Sequence, residues 1–182
     1  MGPSRALKMG VLVLLAVNTV SFAAKAVSIE KLRIRNQIVG WVEENKSYKS
    51  FNPEKLFEII NGGAPEYIDN GMQKGFYQRL RNLDSAAIEL FAEDFGSDEN
   101  ARKMLAAKRS NFSNGQSAEN VDTASIIIHE VVGGFWVCGI VGSYYFELTL
   151  MGIKDREKAQ KEINKYFDNF RKTSENKKKR GS

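Results

Sequence analysis

The chain has 182 residues, of which 42% are hydrophobic and 27% are charged, an ordinary composition for one globular domain. Its net charge of +5 comes from the two ends, because Arg5, Lys8 and Lys25 lie in the first 26 residues and Lys177–Arg180 form a basic tail. Without these seven residues, the chain has 20 basic and 22 acidic side chains. This balance excludes a basic, nucleic-acid-binding surface on the domain.

The first 26 residues have the three parts of a secretory signal peptide. Arg5 and Lys8 form a positively charged start, Val11–Val17 an apolar centre, and small residues near 23–26 a cleavage site. The apolar run is short for a membrane-spanning helix. We therefore predict an exported protein, periplasmic or extracellular, with a signal peptide at 1–26, one domain at 27–172 and a basic disordered tail at 173–182. Membrane contact is expected to be weak at most, through this tail.

Apolar periodicity and capping residues predict the first half of the domain. Near-alternating patterns over Val27–Arg35 and Ile38–Val42 predict one or two strands, followed by a loop over Glu43–Ser50. Asn52 and Pro53 are typical of a helix start, and Gly62, Gly63 and Pro65 must end or kink that helix. A short helical turn is expected over Glu66–Asp69.

The second half of the chain predicts five strands and two helices. Alternation at Phe76–Leu80 and Ala86–Glu93 predicts an antiparallel strand pair. A helix from Asp98 to about Asn111 and a polar loop follow, then a meander of three strands and a final helix capped by Asp155. The meander strands are predicted at Ala124–Val132, Phe135–Val141 and Tyr144–Leu150. The pattern predicts a single-domain α+β fold, an antiparallel sheet of about five to six strands with about three helices packed on it.

The run from Leu56 to Gly71 also carries a specific signature. It reads L-F-x-x-I-N-G-G-A-x-x-Y-x-x-x-G. This run resembles an uncharacterised family of exported bacterial proteins, known as a domain of unknown function. The signature of that family is L-[FY]-x-x-I-[ND]-G-[GA]-A-x-x-Y. The resemblance covers about 25 residues, with Trp41 matching an upstream tryptophan and Phe76–Leu80 a downstream strand. Pro65 departs from the family's pattern. The resemblance implies export and a single domain, and it implies no reaction, cofactor or catalytic residue.

The same run supplies the candidate ligand-binding residues. The Asn-Gly-Gly segment leaves backbone N–H groups available for an anion before the second helical turn, although it does not match a phosphate-binding loop. The alternative is that the glycines let the helix pass close to the sheet. The candidate residues are Asn61, Gly62, Gly63, Glu66, Tyr67 and Asp69.

Acidic residues near this run suggest a second chemistry. Glu66 and Asp69 are three residues apart and would share a helical face, while Glu93 and Asp94 lie farther along the chain. Paired carboxylates can perform general acid–base catalysis, although such pairs are also common on solvated surfaces.

The single histidine and the single cysteine give no catalytic assignment. His129 as the only histidine excludes a metal site built on several histidines, and we expect it at the rim or in solvent. Cys138 cannot form an internal disulfide and is expected to be a core residue. A Cys138–His129 pair is conceivable only in a tight strand register. No catalytic residue, metal ligand or cofactor is assigned.

The sequence thus favours an exported bacterial protein that acts as a ligand- or partner-binding module of the cell envelope. Its partner would be an unknown small ligand or another envelope protein, not nucleic acid. One alternative is a hydrolase that uses Glu66 or Asp69. A second alternative is a structural subunit of an envelope assembly.

Overall fold

The computed structural model describes residues 28–60, 62–112 and 125–175. All strands belong to one antiparallel sheet in the order β1-β3-β4-β7-β6-β5, and β2 pairs with the same edge of β3 as β1. The strands are β1 (Trp41–Glu43), β2 (Lys49–Phe51), β3 (Lys74–Asn82), β4 (Ala87–Asp94), β5 (Ile126–Val131), β6 (Gly134–Val141) and β7 (Tyr144–Met151). The helices are α1 (Pro53–Ile59), α2 (Ala64–Asp69), α3 (Asp98–Phe112) and α4 (Arg156–Glu175).

The predicted single-domain α+β fold with an antiparallel sheet is confirmed. The described residues contain seven strands because Lys49–Phe51, placed in a loop by the sequence, pairs with the first half of β3. They contain four α-helices because the glycine turn separates α1 from α2. The leader, most of the loop between α3 and β5, and residues 176–182 lie outside the described residues, so the domain boundaries remain predictions.

Helix α4 covers one face of the sheet. Its apolar stripe is buried there, with Ile163, Tyr166, Phe167 and Phe170 all at most 1% exposed. The Phe170 ring stacks on Phe146 of β7 at 4.0 Å between centroids. A Cβ at Gly139 of β6 would lie 2.7 Å from the Phe167 ring, so glycine is needed where α4 crosses the sheet.

The segment before β1 also covers this face, but not as a predicted strand. Residues Ile29–Leu32 form one 3₁₀ turn that buries both apolar ends. The buried side chain of Gln78 on β3 then accepts a hydrogen bond from the Ile34 N–H at 3.0 Å and donates one to the Ile34 carbonyl. The prediction of a strand over Val27–Arg35 is wrong because this side-chain amide satisfies the backbone in place of a neighbouring strand.

Helices α1, α2 and α3 pack on part of the opposite face. The Asn52 side chain caps α1 by accepting from the Lys55 N–H at 3.1 Å, and the Ser97 hydroxyl accepts from the Asn100 N–H at 3.1 Å to cap α3. Helix α3 lies over β6 and β7. The apolar residues beneath the three helices form a second core that includes Leu56, Tyr67 and Met104.

The three helices leave one end of this face uncovered. Strand register places one residue from each of four neighbouring strands in a single row, Arg79–Glu89–Thr149–Trp136. All four are only partly buried. Among the described residues, helices therefore cover both faces of the sheet only at the other end, where α2 and α3 lie.

Candidate functional site

The turn between α1 and α2 begins the predicted site. Gly62 has a φ of +73°, a conformation that side chains other than glycine rarely adopt, and an ideal Cβ there meets no described atom within 4 Å. Gly63 has a φ of −85°, and its Cβ would meet the side chain of Ile60 at 3.1 Å. The positive φ therefore explains why residue 62 is a glycine. The expectation that the glycines let the helix pass close to the sheet is wrong. Asn61 lies outside the described residues.

Helix α2 directs the other three predicted residues to different surroundings. Tyr67 is 3% exposed and reaches β7, Glu66 is half-buried beside α3, and Asp69 is exposed. The Glu66 carboxylate accepts hydrogen bonds from Lys108 Nζ at 2.8 Å and from Asn111 Nδ2 at 3.0 Å. Glu66 and Asp69 thus face α3 and solvent respectively.

Around Tyr67 lies a set of polar side chains that we call the carboxylate cluster. The hydroxyl of Tyr67 donates to Glu147 Oε1, and the hydroxyl of Tyr145 donates to the same oxygen at 2.8 Å. Lys108 Nζ lies 3.6 Å from this oxygen and 4.5 Å from the centre of the Tyr67 ring. The cluster thereby joins α2 and α3 to β4 and β7. Its members are Glu66, Tyr67, Glu93, Lys108, Tyr145 and Glu147.

Burial and charge keep the donors of the cluster protonated. Burial, reinforced by Glu147, raises the pKa values of Tyr67 and Tyr145 above those of an ordinary phenol. Burial acts to lower the pKa of Lys108, but Glu147 and Glu66 outweigh it and raise that pKa above its ordinary value. Two phenols and one ammonium group therefore converge on Glu147.

Glu93 lies deepest in the cluster. It pairs with Tyr145 across β4 and β7, one row from Glu147 on the same sheet face, and it is fully buried. Neither of its carboxyl oxygens has a hydrogen-bond partner among the described residues. Burial raises the pKa of Glu93 well above its ordinary value, and Glu147 raises it further against an opposing effect of Lys108. Folded proteins contain few buried polar groups without a partner, so Glu93 is the most unusual residue of the site.

Sequence reasoning missed most of this cluster. Glu147 is the one charged residue in the apolar strand Tyr144–Met151, a signal that was available in the sequence. Lys108 was not among the predicted site residues. Glu93 and Asp94 were noted together as distant carboxylates, but Asp94 accepts from the Gly96 N–H at 2.9 Å and the Ser143 hydroxyl at 3.2 Å. Asp94 therefore has a structural role in a turn.

Cys138 and His129 lie on the same sheet face but do not form a catalytic pair. Cys138 pairs with Ile127 and His129 with Trp136, which places them one row apart. Cys138 is fully buried, as predicted, and burial raises the pKa of its thiol well above the ordinary value. His129 is only 6% exposed, so its predicted place at the rim or in solvent is wrong.

In the described part of the chain, no three His, Cys, Asp or Glu side chains are placed to hold a metal ion. None of the described helices is both long enough and apolar enough to cross a membrane.

The fold and the site define an α+β domain with a seven-stranded antiparallel sheet and a carboxylate cluster under two helices. Among solved structures, the fold is similar to that of the extracellular domain of PknH from Mycobacterium tuberculosis, with a TM-score of 0.53 and 11% sequence identity over 80% of this chain and 97% of that chain. A likeness at this identity concerns the fold alone. No protein-family model and no curated protein matches the sequence.

Proposed function

We propose that this protein is an exported ligand-binding module of the bacterial cell envelope and that its ligand contacts the carboxylate cluster. The observation that carries the proposal is Glu93, a fully buried carboxyl whose oxygens have no partner among the described residues. Leaving a buried polar group unsatisfied costs about 1–3 kcal/mol. A ligand that satisfied Glu93 would recover this cost as binding free energy.

The outer members of the cluster are partly exposed to solvent. The side chains of Glu147 and Lys108 are each 14% exposed, and that of Glu66 is 28% exposed. Glu93 lies behind them. Of the six residues predicted from the sequence, the proposal therefore retains Glu66 and Tyr67 as direct contacts and adds Lys108, Glu147 and Glu93.

Several observations support the envelope as the location. The first 26 residues have the pattern of a signal peptide, and the fold is shared with an extracellular domain. The resemblance of Leu56–Gly71 to a family of exported bacterial proteins agrees with both. Membership of that family, and the choice between periplasm and extracellular space, are part of the proposal.

The test is native mass spectrometry of the protein purified from its own envelope. We expect a bound small molecule that is released on denaturation. Glu147→Gln and Tyr67→Phe should each reduce its occupancy, because both variants weaken the hydrogen bond between these residues. Glu89→Gln is the matched control, since Glu89 is on the same sheet face but its side chain is 42% exposed. A ligand held equally by all three variants, or no ligand at all, would contradict the proposal.

A hydrolase is a second candidate, now favoured by Glu93 rather than by Glu66 or Asp69. A carboxyl with a raised pKa is suited to act as a general acid, and Glu93 has Glu147 beside it. Because Glu93 is fully buried, a substrate, like the ligand proposed above, would have to enter past the partly exposed side chains of Glu66, Lys108 and Glu147. Hydrolysis of ester or glycoside substrates that Glu93→Gln abolishes and Glu89→Gln preserves would support this candidate.

A structural subunit of an envelope assembly is a third candidate. Register places Val42, Met151 and Val131 in one row, with Arg81 and Ala87 between the first two and Gly134 between the last two. The hairpin tips Leu83 and Val132 are 99% and 97% exposed. Exposed apolar residues gathered in this way are typical of contact surfaces. This candidate predicts that the protein self-associates or binds envelope partners. A Leu83→Ser, Val132→Ser double variant should lose this association.

A further inference from the structure

The ammonium group of Lys108 has two carboxylates and one aromatic ring as neighbours. Glu66 Oε2 lies 2.8 Å from Nζ, Glu147 Oε1 lies 3.6 Å away, and the Tyr67 ring centre lies 4.5 Å away. Carboxylates and an aromatic face are the groups that recognise an organic cation. Lys103 on the same helix differs, since it pairs with Glu99 alone and is 58% exposed.

Lys108 does not use all the acceptors around it. An ammonium group has three N–H donors, yet only Glu66 lies within 3 Å of Nζ. The stem of Lys108 is tethered to α3, and its ion pair with Glu147 is longer, at 3.6 Å, than its ion pair with Glu66 at 2.8 Å. Glu93 is buried and without a partner among the described residues, and Lys108 is near enough to oppose the rise of its pKa. A cation that is not tethered to the helix is free of the constraint that the stem of Lys108 places on Nζ.

We propose that the ligand of this cluster carries a primary alkylammonium group, which replaces Lys108 Nζ between Glu66, Glu147 and the Tyr67 ring and donates a hydrogen bond to Glu93. This inference rests on the function proposed above and names its ligand class. The three donors of the group then meet three carboxyl acceptors, one from each of α2, β4 and β7. Lys108 is the internal occupant that the ligand displaces.

The geometry selects a primary ammonium group among organic cations. A quaternary ammonium group can lie against the Tyr67 ring but has no N–H to donate to Glu93 or Glu147. A planar guanidinium group needs acceptors arranged for its fork, whereas the three carboxyls approach from three different elements.

The experiment measures binding of n-propylammonium to the wild type and to Lys108→Ala by titration calorimetry at constant ionic strength. We expect Lys108→Ala to bind at least about ten-fold tighter, because the ligand no longer competes with the internal ammonium group. n-Propanol and tetramethylammonium should bind more weakly than n-propylammonium to Lys108→Ala. Lys103→Ala is the matched control and should behave as the wild type does.

A second pair of variants keeps the test independent of Lys108→Ala folding. In the wild-type background, Glu93→Leu, which removes the acceptor, should lose most of the propylammonium binding, and Glu89→Leu should retain it. The proposal is overturned if propylammonium binds neither the wild type nor folded Lys108→Ala, or if Lys103→Ala gains as much affinity. It is also overturned if propanol and tetramethylammonium bind Lys108→Ala as well as propylammonium does.

Failure of the ligand class and failure of the proposed function give different results. One outcome is a molecule that copurifies from the envelope, lacks an amine and is still absent from Glu147→Gln. That result would support the binding function and contradict the ammonium ligand class. If no molecule copurifies and no ligand depends on Glu147, the binding function itself falls. Propylammonium binding to Lys108→Ala would then describe only an engineered site.

Discussion

At the scale of single residues, Glu93 contributes to how stability depends on pH. The pKa of Glu93 is raised in the folded protein, whereas an unfolded chain binds this proton with a pKa near 4.3. Below that value both states are protonated and Glu93 has no effect. As the pH rises from about 4.3 toward the folded pKa, the unfolded state loses its proton first, so the free energy of unfolding falls by up to about 1.4 kcal/mol per pH unit.

Glu93→Gln should remove this dependence because glutamine does not titrate. We expect the variant to match the wild type near pH 4 and to be more stable at pH 7 to 8, as measured by urea unfolding across this range. Glu89→Gln, with its side chain 42% exposed, should follow the wild-type curve. Parallel curves for the wild type and Glu93→Gln would show that Glu93 does not retain its proton on folding.

Gly62 is a second residue whose conformation decides its identity. Its φ of +73°, with open space around an ideal Cβ, predicts that Gly62→Ala lowers the free energy of unfolding by about 1 kcal/mol. The cause is backbone strain alone. Gly62→Asn should lose less, because asparagine tolerates this region better. Gly63→Ala, with a φ of −85°, requires only a small shift of Ile60. Thermal melts give the melting temperatures of the three variants. A Gly62→Ala variant with the melting temperature of the wild type would contradict the strain argument.

At the scale of elements, α4 is the helix whose packing depends most on aromatic rings. Phe170 is fully buried and stacks on Phe146, while Phe167 meets both rings edge-on. Phe170→Ala should lower the free energy of unfolding by about 3–5 kcal/mol, through lost burial and the cavity left behind. The exposed Lys161 on the same helix gives the control variant Lys161→Ala, which should change it by less than about 0.5 kcal/mol. Urea unfolding measures both, and similar values for the two would mean that α4 is not integral to the core.

At the scale of the whole molecule, export is the property that remains to be tested. The basic start, the apolar run Val11–Val17 and the small residues near 23–26 predict that the exported protein begins after the leader. Intact mass of the protein recovered from the envelope measures this directly. A mature chain that still begins before Val20 would contradict cleavage.

Much of the fold was predictable because it depends on short-range patterns. The caps at Asn52 and Ser97, the break before Pro65 and the meander strands each follow from a few neighbouring residues. The segment before β1 was not predictable in this way. Its backbone is held by Gln78, 44 positions along the chain, and no local pattern indicates such a contact.

By itself, the sequence determined the α+β class, the antiparallel meander and the helical turn that carries Glu66 and Tyr67. Only the tertiary structure decided which carboxylates meet. Glu93 and Glu147 become neighbours through the register of β4 and β7, and Lys108 reaches them because α3 packs across β6 and β7. Helical and strand periodicity act over a few residues, whereas a buried polar cluster forms from side chains that distant segments bring together.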